Sequence, residues 1–185
     1  MLLWITESAE LYEEPENVII RKPEEISNIA PNAVSMVLME SSLPTRELME
    51  WAENRRLPTL WWQPNVSVPA DHCVVCSTDC DCKDFAFLLG RVCLRDGIVN
   101  LQAGELESAI LEHSQMVIVP YIRLTEKSNN LQRYSLGYLI QQGVEQSFET
   151  FQKNFEQVKR TTAISELYTL LLEEDESDMV WAFRE

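Results

Sequence analysis

Glycine is scarce in this chain. Its 185 residues hold five, Gly90, Gly97, Gly104, Gly137 and Gly143, scattered rather than gathered after a first strand. A phosphate cradle needs its glycines within one short loop, and neither G-x-x-x-x-G-K-[ST] nor G-x-G-x-x-G occurs, so nucleotide hydrolysis is not expected. Histidine is scarcer still: only His72 and His113 exist, and neither stands in a nucleophile motif. His113 falls near the end of a predicted helix, where capping or packing suits it. Long apolar runs are missing too. Nothing approaches the ~18 consecutive apolar residues of a membrane span, and Met1-Leu-Leu-Trp-Ile runs straight into Thr6, Glu7 and Ser8. No basic segment precedes that run, so no signal peptide is read and a cytoplasmic protein is expected. Positive charge is short as well, with 15 basic against 30 acidic residues and a net charge of −15. Such a surface repels phosphate backbones, which argues against direct nucleic-acid binding and points to a basic protein partner.

What remains is ordinary globular material, 45% hydrophobic and 24% charged. A chain of this length in one domain buries about 70% of the surface it exposes when unfolded, so it needs no disulfide staples. Short apolar runs recur at Leu2–Ile5, Val18–Ile20, Ala33–Met39, Thr59–Trp62, Cys73–Cys76, Ile98–Leu101 and Met116–Ile122. Their length, their β-branched and aromatic content and their lack of polar alternation predict strands covered on both faces, as in a parallel sheet. Amphipathic stretches lie between them. Pro23-Glu-Glu-Ile and Pro44-Thr-Arg-Glu both start with proline and acids, a helix-opening signal. Phe85, Leu88, Leu89 and Val92 share one helical stripe, as do Leu106, Ala109, Ile110 and His113.

The expected fold is α/β, an open, mostly parallel sheet flanked by helices over residues 1–126. Residues 127–185 are expected to form a helical extension, because 129–160 are helical in composition apart from Gly137 and Gly143, and Thr161 to Glu166 reads as a capping box. Five acids then fall within residues 173–178, followed by Met179, Val180, Trp181 and Phe183. Two readings stay open for this end. Either it folds back and buries Trp181, or it is a mobile acidic-aromatic arm that docks on a partner through Trp181 and Phe183.

Four cysteines fall in His72-Cys-Val-Val-Cys-Ser-Thr-Asp-Cys-Asp-Cys. A zinc site draws on two separated ligand pairs, and no second pair exists. Cys73 and Cys76, three apart on a strand, point to opposite faces. They read as small buried hydrophobes, with Cys80 and Cys82 in the following loop, and no metal or other cofactor is expected; Cys73, Cys76, Cys80 and Cys82 remain the candidates should one bind. The cysteine content without a signal peptide also suits a reducing compartment. Among the carboxylates, Glu7 and Glu40 would end neighbouring strands, where open α/β sheets gather their ligands. Trp51, Trp61 and Trp62 read as core.

The first ~80 residues resemble a response-regulator receiver domain. Ala33–Met39 takes the place of the strand that ends in the phosphorylated aspartate, which puts Glu40 at the acceptor position. Thr6 and Glu7 stand where a receiver has its acidic pair, Gln63 where it has Thr or Ser, and no lysine closes Cys73–Cys76. The resemblance therefore implies a pseudo-receiver without phosphorylation or magnesium chemistry. Residues 97–124, with Gly-Ile-Val-Asn-Leu, a helix and then Gln-Met-Val-Ile-Val-Pro-Tyr, resemble the later strands of ParA/MinD-like ATPases without their P-loop. Together these readings favour a non-enzymatic interaction or regulatory protein, binding another protein through its C-terminal arm. The alternative is an enzyme or small-ligand binder with carboxylates or cysteines at the carboxyl ends of the strands.

Overall fold

The computed structural model describes residues 1–30, 33–40, 46–62, 72–77, 80–92, 103–124, 131, 134–142, 147–172 and 178–185. The expected strand at 98–101, Pro44, Gln63, Gly97, Gly143 and the acids at 173–176 lie outside them. The apolar runs become strands β1 (Leu2–Thr6), β2 (Val18–Arg21), β3 (Met36–Glu40), β4 (Thr59–Trp62), β5 (Cys73–Ser77) and β6 (Gln115–Pro120). Helices α1 (Arg46–Arg55), α2 (Cys82–Val92) and α3 (Ala103–Glu112) lie between them. The stretch opened by Pro23 is a 3₁₀ helix over Pro23–Asn28, and the first crossover holds only a 3₁₀ turn at Ala9–Leu11.

The last third departs from the expected helical extension. Its described residues form strands β7 (Leu136–Gln142), β8 (Glu166–Leu172) and β9 (Met179–Arg184) and the helix α4 (Phe148–Thr161). Leucine, glutamine and glutamate favour helices only weakly, and strand pairing overrides that preference when neighbouring strands offer a full ladder. The capping box expected from Thr161 to Glu166 does not form. Thr161 ends α4, and Glu166 opens β8 with its N–H on Ser135 O at 3.0 Å. The α4 helix has the end chemistry its sequence specifies: Ser147 Oγ accepts from Thr150 N at 3.2 Å, and Lys159 and Arg160 sit in the last turn.

Among the described residues nine strands form one sheet in the order β2-β1-β3-β4-β5-β6-β9-β7-β8. Every pairing is parallel except those of β9, which runs antiparallel between β6 and β7. Residues on both sides of the boundary expected near 126 therefore share one sheet. Alternate strand residues feed two faces. One face holds Leu2, Trp4, Leu38, Val75 and Met116 under the apolar stripes of α2 and α3. The other is covered over its first half by the 23–28 turn and α1, and over its second half by α4.

Two glycines mark where layers touch. A Cβ at Gly90 of α2 would lie 2.4 Å from Val18 Cγ2, and one at Gly137 of β7 would lie 3.0 Å from Ile164 Cδ1. Gly137 is thus a site of close packing and breaks nothing.

The chain end takes the first of its two expected courses. Trp181 and Phe183 are fully buried in β9, with Phe85 edge-on to the Trp181 ring at 5.5 Å and Tyr138 edge-on to Phe183 at 5.8 Å. A mobile docking arm anchored on these two side chains is corrected accordingly, because their surface is spent inside the sheet. Replacing Trp181 with Ala should cost about 3–5 kcal/mol in urea unfolding, whereas Ile122→Ala, at an 85% exposed side chain, should leave the midpoint within experimental scatter.

Candidate functional site

The strand order changes direction at β1: β2 lies on one side of it and β3 on the other. In open α/β sheets such a switch point opens a crevice at the carboxyl ends of the strands. The register pairs Thr6 with Glu40 there, so Glu7 and Glu40 do end neighbouring strands as expected. Their surroundings differ. Glu7 is exposed, whereas Glu40 is half-buried and turned toward the start of α2.

That helix begins at Cys82, with Asp81 as its cap accepting from Asp84 N at 2.8 Å. Burial first, and then the Glu40 carboxylate as charge and acceptor, hold the Cys82 thiol far above the ordinary thiol range, while the Trp4 indole pulls weakly the other way. Among the described residues neither Glu40 Oε2 nor Trp4 Nε1, both buried, has a well-formed hydrogen bond. A thiol held protonated in this way is a poor nucleophile.

The other described cysteines have different surroundings. Cys73 is buried in the face under α2, its thiol pushed up to about 12 by burial and then by Cys76. Cys76 lies on the opposite face and accepts from Gln115 Nε2 at 3.3 Å, while Cys80 donates to Asp81 O. Among the described residues no group of three or more His, Cys, Asp or Glu side chains converges as a metal would require. His72 accepts from Trp61 Nε1 at 2.7 Å, and His113 packs its Nδ1 against Ala109 O at 2.8 Å at the end of α3. Each histidine is thus tied to a neighbouring element by a hydrogen bond.

A second arrangement lies at the far end of the sheet, where α3 stops short of β8. A groove of about 280 Å³ opens between α3 and the strands β7 and β8. Gly104, Ser108 and Ala109 keep its α3 wall low. Its floor is Leu136 and a stacked tyrosine pair, Tyr138 on Tyr168, with ring centres 5.7 Å apart. Tyr138 is buried and donates to Glu105 O at 3.4 Å, whereas Tyr168 is 45% exposed.

The rim is Glu105, Glu112 and Glu166, all exposed. Burial raises the Tyr138 phenol pKa most, and Glu105, Tyr168, Glu112 and Glu166 add to the rise, so the negative field of the rim converges on this one hydroxyl. A concave, one-signed wall with an open aromatic face suits a cationic side chain. The depression along the outer face of α4 differs, since Glu149, Lys153, Glu156 and Arg160 line it with mixed charge.

In the sequence Ala109 stands out only as part of a helical stripe and Glu166 only as part of a cap, and no groove residue stands out as a site, because residues 136–142 and 166–172 read as helical. A usable signal was present. Leu136-x-Tyr138-x-Ile140 and Glu166-x-Tyr168-x-Leu170 repeat with the period of two that defines one strand face.

No protein-family model matches the sequence, and no curated protein matches it. Among solved structures the fold is similar to FtsZ from M. jannaschii. A structure described as an empty FtsZ dimer gives a TM-score of 0.58 at 11% identity, over 86% of this chain and 66% of that one. The W319Y mutant of the same protein gives 0.55 at 11% identity, over 88% and 69%. The chain thus spans 66% of the length of the first of these FtsZ chains. At this identity the likeness establishes the fold alone: an open, mostly parallel α/β sheet with helices on its faces, as expected from the apolar runs and helical stripes, and it does not extend to the receiver or ParA/MinD resemblance.

The raised thiols have a consequence in alkali. An unfolded cysteine ionises near pH 8.5, while the buried Cys73 and Cys82 stay protonated beyond it. Their contribution to stability is complete below that pH and is lost as pH rises toward the folded values. Unfolding free energies measured between about pH 8 and 10 should fall more steeply for the native chain than for the Cys73→Ala/Cys82→Ala variant, by up to about 2.7 kcal/mol per pH unit. Equal slopes would contradict the assignment.

Proposed function

We propose that the chain is a non-enzymatic interaction protein that recognises a basic protein partner through the groove between α3 and the β7–β8 strands. The observation carrying this reading is the convergence of Glu105, Glu112 and Glu166 around the Tyr138–Tyr168 pair. A surplus of 15 negative charges draws a cationic partner toward the molecule, and the groove adds a defined place for it to stop. The guanidinium of an arginine fits best: it can stack on the open face of Tyr168 while its N–H groups reach two carboxylates.

The C-terminal arm no longer serves as the docking element, since β9 is spent in the sheet. The receiver-like and ParA/MinD-like resemblances enter the same reading as an α/β scaffold that works by contact, with Glu40 standing where a phosphoacceptor would be and its neighbouring thiol held protonated.

The reading is tested by separating the groove from bulk charge. With a hexa-arginine peptide as probe, Glu105→Gln/Glu112→Gln/Glu166→Gln should bind about tenfold more weakly by calorimetry, since exposed ion pairs contribute below ~1 kcal/mol each. Glu149→Gln/Glu156→Gln/Glu185→Gln changes the net charge equally and should bind as the native chain does. Equal weakening in both variants would overturn the groove as the recognition site.

A further inference from the structure

We infer that β8 is a docking edge. An extended segment of the basic partner, alternating cationic and apolar residues, adds to the sheet as one more strand along Glu166–Leu172. This inference rests on the basic-partner reading above and says how the partner is held.

The two edges of the sheet are built differently. At β2 the Val18 N–H is met by Pro15 O. Side chains satisfy both outward groups of Ile20: its N–H donates to Glu14 Oε1 at 3.0 Å, and the Arg21 guanidinium pairs with Glu14 while also donating to Ile20 O. Such side-chain seals are how natural sheets blunt an edge.

At β8 the Glu166 N–H reaches Ser135 O in the β7 direction. Strand alternation then turns the backbone groups of residues 166, 168, 170 and 172 toward β7, and those of Leu167, Thr169 and Leu171 outward. Among the described residues no hydrogen bond satisfies these outward groups. The strand is seven residues long, holds no lysine or proline, and carries a single charge at its first position.

Side-chain parity defines what fits. Glu166 and Tyr168 project over the α3 face, into the acidic groove, and Leu170 and Leu172 follow them into the core. Leu167 and Leu171 lie half-buried on the α4 side. A strand laid beside β8 sends every second side chain toward Glu105, Glu112 and Tyr168, and the others toward Leu167 and Leu171. Main-chain pairing holds it, and the alternating side chains select it. Charge complementarity chooses the occupant: a second copy would bring its own −15 against this one, whereas a cationic strand neutralises the rim.

The probe is acetyl-Arg-Val-Arg-Val-Arg-Val-amide, titrated into the full chain with amide exchange and affinity as readouts. The amides of Leu167, Thr169 and Leu171 should exchange more slowly once peptide is bound, while those facing β7 stay as they were. Arginine and valine N–H groups point to opposite sides of the added strand. Methylating the backbone nitrogens of one set should therefore weaken binding roughly tenfold to a hundredfold, and methylating the other set should not.

If both methylated peptides bind as the parent does and the three amides stay unprotected, strand addition is wrong while the groove stands. If the parent peptide binds no better to the native chain than to Glu105→Gln/Glu112→Gln/Glu166→Gln, the groove reading fails with it. A β8-mediated dimer of the chain alone, seen by sedimentation with the same three amides protected, would give the edge to a second copy and overturn the proposed occupant.

Discussion

The structure depends on one insertion: β9, the last strand, lies antiparallel between β6 and β7. Without it the sheet is two separate pieces, a six-stranded parallel half and the β7–β8 pair. Six register pairs to β6 and five to β7 stitch these together, and Trp181 and Phe183 supply the side chains that the seam needs. A parallel sheet is built by crossovers and grows outward; here the seam closes only when the chain end returns through its middle. Folding of the second half is thereby tied to the first through contacts between residues distant in sequence, the kind of pairing that must offset loop-closure entropy before it stabilises anything.

A buried polar net reinforces the seam at its carboxyl end. Gln141 of β7, with no exposed surface, donates to Phe151 O at 3.2 Å and to Thr169 Oγ1 at 3.1 Å, and accepts from Asn154 at 3.1 Å. Asn154 also reaches Asp178 at the entry to β9, and Tyr121, just past β6, approaches Asn154 at 3.4 Å. Each member has a partner, so the net specifies position at little cost, whereas a half-satisfied one would be worse than an apolar core. It joins β6, β7, β8, β9 and α4 at one point.

The two ends of the sheet consequently carry different chemistry. Around the β1–β3 switch point, burial and the Glu40 charge keep the Cys82 thiol protonated, which favours packing over reactivity. At the opposite side α3 leaves part of β7 and β8 uncovered, and that gap exposes an aromatic floor within a ring of carboxylates. Recognition by shape and charge suits the second place better than the first.

Residues near in sequence settled the first half of the molecule. Continuous apolar runs such as Leu2–Ile5 and Thr59–Trp62, separated by helical stripes such as Phe85, Leu88, Leu89 and Val92, specify a doubly covered sheet, because each period matches only one backbone geometry. The placement of Glu40 at a strand end was legible for the same reason. Residues 136–142 and 166–172 were not, since their composition is compatible with either backbone and only the ladder between them, in register from Leu136 and Glu166 onward, selects the strand. The local sequence around Trp181 is compatible with burial or exposure, and the place for one strand between β6 and β7 decides for burial. The groove followed from both: Glu105, Glu112, Tyr138, Glu166 and Tyr168 come from three elements, and no local pattern encodes their meeting. Charge and periodicity are properties of the chain by itself. Which carboxylates surround which tyrosine is set by long-range strand pairing, and only the tertiary structure decides it.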